Sequence, residues 1–189
     1  MARTDALFLA TEKYNGLLVT YPNNTADLVE SAWNDDVSPD GDYDISISTD
    51  GHISLDDPST LGEAFDQVGN NDTVSEKLNS YDAVLVIDNR NVSGGAGRAY
   101  VGTVGEDNAL GYCQSDDVQL AAHELGHIYG ASHEGDETHW QNFGAFSHDV
   151  MGYNGVAPSC NGNDPDLVRE LRYMDCARNE IQDTIDSNL

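Results

Sequence analysis

The sequence predicts an α/β fold, and three observations carry that prediction. The run Ala83–Ile87 is entirely apolar and largely β-branched, which is the pattern of a central strand buried on both faces. Asp44–Ser48 alternates polar and apolar residues, as a half-buried strand does. Ala26–Trp33 and Leu61–Leu78 carry apolar residues at nearly helical spacing, and the second helix is interrupted near Gly69–Asn71. Strands and helices therefore share the first two-thirds of the chain.

Shorter patterns supply the remaining elements of this region. Leu7–Leu9 and Gly16–Tyr21 are predicted strands, and Asn23–Thr25 is the turn that starts the first helix. Asp36–Asp44 contains a proline and a glycine and is predicted to be a surface loop. Gly97–Gly102 is predicted to be a short strand flanked by glycines. None of these elements by itself indicates a function.

Size and charge limit the classes of partner. The 189 residues correspond to about one domain, and 39% of them are hydrophobic in regular runs, which favours a packed core over disorder. Eight basic residues against 34 acidic ones give a net charge of −26, so we expect no nucleic-acid partner and no binding to anionic membranes. Such acidity is typical of proteins adapted to concentrated salt, which screens self-repulsion; an acidic protein from dilute conditions is the alternative.

The chain shows no apolar segment long enough to span a membrane. Its first apolar run, Ala6–Ala10, is too short for the core of a signal peptide. We therefore expect either a mature domain whose leader has been removed or a cytoplasmic protein. Secretion is the favoured expectation, and a monomer is the default oligomeric state.

Residues 115–133, SDDVQLAAHELGHIYGASH, predict a helix that carries a metal site. Ser115 is a good N-cap, followed by two acidic residues that favour the helix start. His123 and His127 lie four residues apart, so both imidazoles leave the same side of the helix and can share one Zn²⁺. Since a bare pair of this kind is usually only a helix surface, the pair alone does not identify a site.

Three further residues make the pair specific. Glu124 lies beside the first histidine, where it can reach a metal-activated water without binding the metal. Gly130 can take the left-handed conformation that ends the helix, and His133 can return as a third ligand. Three protein ligands with an open fourth position describe a catalytic zinc site. The sequence thus predicts one Zn²⁺ held by the three histidines, with Glu124 as general base.

The run from His123 to His133 resembles the zinc motif of the metzincin metallopeptidases, H-E-x-x-H-x-x-G-x-x-H. Met151 resembles the Met-turn of that clan, which implies a hydrophobic floor beneath the histidines; ordinary core packing is the alternative for this residue. Tyr153 resembles a tyrosine of astacins and serralysins, which implies that it stabilises the oxyanion. Its alternative is packing in the wall of the substrate pocket.

Upstream, residues 81–86 and Gly97–Gly102 resemble the strand pair that precedes the zinc helix in reprolysin-like members. The resemblance implies a twisted, mainly parallel sheet whose antiparallel edge strand binds an extended peptide through main-chain hydrogen bonds. It implies one catalytic domain, with an upper part over 1–133 and a small lower part over 134–189 that holds the Met-turn and the last helix. The edge residues it assigns to substrate are Arg98, Ala99, Tyr100 and Val101.

The resemblance also implies a disulfide between Cys113 and Cys176, with Cys160 as a competitor for either partner. Two acidic loops, Asp40–Asp44 and Asn161–Asp164, offer enough oxygen ligands for Ca²⁺, although plain surface charge is the simpler interpretation. The remaining histidines are expected to face solvent or to support the site: His52, His139 and His148.

The expected function is that of a zinc-dependent endopeptidase of metzincin type, acting on peptide or protein substrates. One alternative is a catalytically idle zinc-binding or interaction domain that keeps the same frame, and Glu124 argues against it because such a domain needs no carboxylate there. Another is a processing peptidase of narrow specificity, which the sequence does not distinguish from a general protease.

Overall fold

The structure is a computed structural model, and it describes residues 3–14, 21–132, 173 and 175–189. This part of the chain contains five strands and five helices, and its last element is a helix. The elements, in chain order, are β1 (Thr4–Thr11), α1 (Tyr21–Asp36), β2 (Ile45–Ile53), α2 (Leu61–Gly69), α3 (Asp72–Leu78), β3 (Ala83–Ile87), β4 (Gly97–Ala99), β5 (Leu110–Cys113), α4 (Val118–Ile128) and α5 (Asp175–Asn188).

The strands form one five-stranded sheet in the order β2-β1-β3-β5-β4. β2, β1, β3 and β5 pair in parallel, whereas β4 runs antiparallel to β5 at one edge. The predicted mixed α/β architecture is confirmed, and so is the antiparallel edge strand. β5 has no counterpart among the predicted elements, although it lies between the two strands that the sequence placed side by side.

Helices cover both faces of the sheet, so the central strands are buried on both sides. Because successive side chains of a strand point to opposite faces, Leu85 and Ile87 of β3 join the core beneath α1, α4 and α5. Val84 and Val86 join the core formed with α2 and α3. This double burial explains why β3 is apolar throughout. The last helix shares the first of these cores through Ala177, Ile181 and Ile185.

A buried polar network ties together the ends of the parallel strands. Asp88, directly after β3, is fully buried and accepts hydrogen bonds from the hydroxyls of Thr11 on β1 and Tyr112 on β5. Its carboxylate lies 3.1 Å from Nε of Arg90, whose Nη2 lies 2.7 Å from the carboxylate of Glu12. A buried charge is tolerated only when it is paired and hydrogen-bonded, and here the pairing also anchors the loop that leads to β4.

Some predicted boundaries are corrected by the structure. Residues 16–20 of the second predicted strand lie outside the described residues, and Tyr21, the last residue of that prediction, begins α1 instead. Asp117, not Ser115, caps α4, because its side chain accepts a hydrogen bond from the backbone N–H of Leu120. The strand predicted over 97–102 ends at Ala99.

The disulfide predicted for Cys113 is not present. Cys113 is a fully buried free thiol at the end of β5, and its Sγ lies 3.9 Å from the carbonyl oxygen of Leu120 on α4. Burial raises the pKa of this thiol well above its usual value, which keeps it protonated. Cys160 and the side chain of Cys176 lie outside the described residues.

Two other findings bear on the expectations from the sequence. In the loop predicted as a calcium site, the Asp44 carboxylate accepts a hydrogen bond from the hydroxyl of Ser38, and the described residues hold no group of three or more metal-ligating side chains. The second predicted loop, 161–164, lies outside the described residues.

Across the part of the chain that the structure describes, each helix is too short or too polar to cross a bilayer.

Candidate active site

Helix α4 presents the candidate site at the edge of the sheet. Its buried apolar face includes Ala121, Leu125 and Ile128, which pack into the core beneath the sheet. Packing of this face fixes the rotation of the helix about its axis. His123 and His127 lie on the opposite side of the same helical turns. The loop after β4 closes the far end of α4, since backbone N–H groups at 102–104 donate to the carbonyls of residues 127 and 128.

The two predicted histidine ligands converge. Nε2 of His123 and Nε2 of His127 lie 3.1 Å apart, and the rings meet edge to face with their centroids 4.5 Å apart. Nδ1 of His127 lies 2.7 Å from the carbonyl oxygen of Ala131. Because a carbonyl can only accept, this nitrogen carries the proton, and Nε2 is left with a lone pair that points at its neighbour.

Glu124 lies on the next position of the helix, buried to 4% exposure. Its Oε2 is buried and makes no hydrogen bond with any described residue. Burial raises the pKa of this carboxyl from 4.5 to about 8. Glu124 also lines the cleft described below, so this carboxyl group lies at its wall with one oxygen that no described residue uses.

Gly130 makes the turn that follows the helix. Its φ of +99° lies in the left-handed region, as the sequence predicted for a glycine at this place. The turn is closed by backbone hydrogen bonds from the N–H of Gly130 to the carbonyl of His127 and from the N–H of Ala131 to the carbonyl of Gly126, each 2.9 Å long. This turn carries the Ala131 carbonyl to the imidazole of His127.

The segment after the turn is held by the last helix. The backbone N–H of Ser132 donates to the carboxylate of Glu180 on α5 over 2.8 Å, and the Ser132 hydroxyl lies within 3.3 Å of both oxygens of the same carboxylate. The chain position directly before His133 is therefore fixed against α5.

The edge strand β4 lies against the glutamate. A Cβ atom added at Gly97 would come within 2.7 Å of Cδ and 2.8 Å of Cγ of Glu124, so only glycine leaves room for that side chain. One residue on, Arg98 lies on the same strand, followed by Ala99. Tyr100 and Val101, which the sequence assigned to the edge strand, lie just beyond its end and are 42% and 55% exposed.

A cleft of about 690 Å³ lies between this edge and α4. Such a volume is within the range of sites that bind small molecules or a few residues of a peptide. It is lined by both histidines, Glu124, the glycine-rich run that leads into β4 and the N-terminal part of α4. The lining residues are Leu61, Gly94, Gly95, Ala96, Gly97, Arg98, Ala99, Val101, Asp117, Gln119, Leu120, His123, Glu124, His127 and Ser132.

The described part of the site fits zinc. Two nitrogens that each bind one tetrahedral Zn²⁺ at its usual distance lie about 3.3 Å apart, close to the 3.1 Å between Nε2 of His123 and Nε2 of His127. The hydrogen bond from His127 Nδ1 to a backbone carbonyl is the support that a ligating imidazole usually has. Two ligands do not complete a site, and the third predicted ligand, His133, lies outside the described residues.

Several other residues that the sequence predicts for the site lie outside the described residues. Met151, predicted for the Met-turn, and Tyr153, predicted to stabilise the oxyanion, lie outside the described residues, as do His139 and His148. His52 is described and lies exposed on β2, at the opposite edge of the sheet from the cleft.

Sequence reasoning did not identify two contributors to the site. Gly97 makes room for Glu124, and the only local signal for it is a run of small residues before the edge strand. Gln114 holds that run in place: its side-chain oxygen accepts from the N–H of Val92, and its amide nitrogen donates to the carbonyl oxygens of Val92 and Gly95. No pattern in the sequence distinguishes this glutamine from a surface residue.

Comparisons with known proteins give a family for the chain and a shared fold. A family model described as Reprolysin_5, metallo-peptidase family M12, matches residues 7–167. A search of curated proteins finds no match. A chain from a solved structure described as a chaperone–substrate complex superposes with a TM-score of 0.63 at 18% identity. The match covers 100% of the present chain but only 35% of the other, and at this identity it shows a shared fold alone.

Proposed function

The chain belongs to metallo-peptidase family M12, and on that premise we propose that it is a zinc-dependent endopeptidase of metzincin type. The observation that carries the proposal is the convergence of His123 Nε2 and His127 Nε2 to 3.1 Å beside the buried carboxylate of Glu124. In this proposal His123 and His127 hold Zn²⁺ together with His133. Bound Zn²⁺ supplies Lewis-acid chemistry: it polarises the scissile carbonyl and makes a water molecule more acidic.

The residues of the chain supply positioning and proton transfer. The outer edge of β4, which pairs with no described strand, binds an extended peptide, and this brings the scissile bond over α4. Glu124 takes a proton from water as the water oxygen bonds to the carbonyl carbon. It then gives that proton to the amide nitrogen, and the C–N bond breaks to release an amine and a carboxylic acid. Tyr153 is proposed to donate a hydrogen bond to the oxyanion, and Met151 to form the floor beneath the histidines.

Burial supports this role for Glu124. Glu124 lines the cleft, and its Oε2 accepts no hydrogen bond from a described donor, so this oxygen can accept one from water in the proposed reaction. The small residues of the edge strand bring the peptide-binding main chain close to that carboxylate, because Gly97 lies directly against it.

The test compares the wild-type chain with Glu124→Gln, which keeps the shape of the side chain and removes its basicity. Both are loaded with zinc, and cleavage of an unfolded protein is measured in concentrated salt, which the net charge of −26 makes a suitable medium. Glu106→Gln is the matched control, since Glu106 is exposed and lies outside the cleft lining.

We expect the wild type and Glu106→Gln to cleave, and Glu124→Gln to lose at least about a hundredfold in kcat while binding the same amount of zinc. Chelation abolishes cleavage and added zinc restores it. If the wild type binds zinc but cleaves no substrate, the idle zinc-binding domain becomes the better description. If the folded wild type binds no zinc, the proposed metal site is wrong.

A further inference from the structure

The edge strand β4 presents different chemistry on its two faces. Gly97 faces α4 and lies against Glu124. Arg98 faces the other way, with its guanidinium carbon 5.2 Å from the centre of the Phe65 ring on α2. The ring of Tyr100 contacts the same phenylalanine from the side, with centroids 4.9 Å apart. The strand therefore turns one side towards the proposed reacting centre and the other towards a small aromatic platform.

Arg98 has no acidic partner among the described residues. It is exposed at the cleft, and among the described residues that line the cleft it is the only lysine or arginine. Ion pairs with described acidic residues are made, for example, by Lys13 with Asp57, Lys77 with Asp50, and Arg90 with Glu12 and Asp88.

The Phe65 ring holds the guanidinium of Arg98 without accepting a hydrogen bond from its N–H groups. A cation over an aromatic face is attracted by the ring electrons, and this contact leaves the N–H groups of Arg98 free to bind a ligand. An arginine fork matches a carboxylate geometrically and can bind it with two parallel hydrogen bonds. The arrangement is thus suited to capture an acidic side chain that arrives at the edge strand.

We propose that Arg98 selects peptides that carry Asp or Glu at the one substrate position facing α2 beside it. The inference rests on the proposed function, because it assumes that an extended peptide pairs with β4. Since side chains of an extended peptide alternate between the two faces of a sheet, one substrate side chain points to Arg98 while its immediate neighbours point to α4. The preference is therefore confined to a single position.

The charge of the whole protein acts in the opposite direction. A net charge of −26 favours basic peptides, but that field acts on every substrate position alike. At physiological ionic strength, exposed charges farther apart than about 8 Å are largely screened. Local contact with Arg98 therefore determines the preference for an acidic or neutral side chain at the substrate position beside Arg98. At the other substrate positions the electrostatic field of the whole protein determines it.

The experiment uses a peptide that the zinc-loaded wild type cleaves at one bond, with Glu or its neutral isostere Gln placed at each position in turn. The readout is the ratio of kcat/KM for the Glu peptide to that for the Gln peptide. We expect a ratio of roughly two to five at one position, the range for an exposed ion pair, and a lower ratio at both neighbouring positions. In concentrated salt the preference falls towards one.

Variants assign the preference to Arg98. In Arg98→Gln the Glu-to-Gln ratio at that substrate position falls to the ratio measured at the two neighbouring positions. Arg98→Lys keeps the charge, and its ratio at that position stays above the ratio at the neighbouring positions. Lys77→Gln is the matched control, because it makes the same change in net charge beside Asp50 on β2, at the opposite edge of the sheet. It leaves the ratio as in the wild type. Circular dichroism verifies that each variant is folded.

A binding measurement separates this inference from the proposed function. Fluorescently labelled Glu and Gln peptides are titrated onto zinc-loaded Glu124→Gln, with and without Arg98→Gln, and Kd is read from anisotropy. Tighter binding of the Glu peptide that disappears with Arg98→Gln supports the inference. Equal Kd values, or a preference that survives Arg98→Gln, overturn it. Absence of cleavage by the wild type counts against the proposed peptidase and leaves this binding comparison to decide on Arg98.

Discussion

Gly130 closes the turn after α4, and replacing it with alanine perturbs the fold in two separable ways. Its φ of +99° lies in the left-handed region, where a Cβ atom costs about 1–2 kcal/mol. A Cβ at this position would also lie 2.8 Å from Cβ and 3.1 Å from Cγ2 of Thr184 on α5, and it would overlap the hydroxyl of that residue. Overpacking of a filled core costs typically about 1–3 kcal/mol. Gly130→Ala should therefore lower the free energy of unfolding by about 2–5 kcal/mol.

Two further variants separate the contributions. Gly51 has a φ of +85° and no atom within 4 Å of an added Cβ, so Gly51→Ala carries the conformational cost alone. Its loss should be about 1–2 kcal/mol. In a Thr184→Gly background, where the neighbouring side chain is absent, the additional loss from Gly130→Ala should fall to the same value. The difference between the two backgrounds is the coupling free energy of a double-mutant cycle.

The assay is urea unfolding followed by circular dichroism, with the slope of the transition compared between variants to verify that the same surface is exposed. The reasoning is refuted if Gly130→Ala costs no more than Gly51→Ala, or if its cost is the same with and without the Thr184 side chain. Because the turn carries the Ala131 carbonyl that accepts from His127, the affinity of the folded variant for the proposed Zn²⁺ should also fall.

Three other substitutions test the site and its support. Gly97→Ala pushes a Cβ into the space of Glu124, so kcat should fall about tenfold to a hundredfold through misplacement of the proposed base, with zinc content unchanged. Tyr112→Phe removes a 2.9 Å hydrogen bond to the buried carboxylate of Asp88 and should cost about 1.5–3 kcal/mol in urea unfolding. Glu63 accepts hydrogen bonds from the N–H and hydroxyl of Ser59, which lower its pKa below 4.5. These hydrogen bonds stabilise the fold at pH values above the unfolded-state pKa of 4.5, and their contribution is lost as the pH falls through the lower pKa of folded Glu63. Glu63→Gln should therefore lower Tm at pH 7 but not in acid.

Each of these changes has a matched control. Gly69→Ala adds the same methyl group where the nearest atom is 4.0 Å away, and it should leave kcat unchanged. Tyr81→Phe removes a hydroxyl that makes no hydrogen bond with the described residues, and Glu106→Gln neutralises an exposed carboxylate with no such bond. The argument for Gly97 is contradicted if Gly97→Ala turns over normally. The argument for Tyr112 is contradicted if Tyr112→Phe and Tyr81→Phe lose equal stability. The argument for Glu63 is contradicted if the Tm difference of Glu63→Gln persists in acid.

Local patterns in the sequence recovered the elements whose burial is periodic. The apolar run over 83–87 coincides with β3 because that strand is buried on both faces. The break predicted near 69–71 coincides with the junction between α2 and α3, where the Asn71 side chain caps the second helix. The histidine pair could be found for the same reason: spacing along a helix fixes which side chains share a face.

The elements that the sequence did not reveal depend on contacts between distant segments. β5 has four residues, one of them Gly111, and it is a strand only because β3 and β4 pair with it on either side. A Cβ at Gly111 would lie 2.8 Å from Cδ1 of Leu85 and 3.3 Å from Cδ1 of Ile128. The glycine is thus required first by the Leu85 side chain of the neighbouring strand β3 and then by the close approach of α4 to the sheet, and no local pattern contains that information.

The same close approach organises the candidate site. Gly111 pairs with Ala99, and Gly97 lies two residues before Ala99 on the same face of β4, so small residues line the surface that α4 contacts. Larger side chains there would move the helix away from the edge strand and carry Glu124 away from a peptide bound to it. The side chain of Arg98 lies on the opposite face of β4, with its guanidinium over the Phe65 ring of α2. One face of the strand is therefore constrained by the proposed chemistry, whereas the other can change to select a substrate without moving the reacting groups.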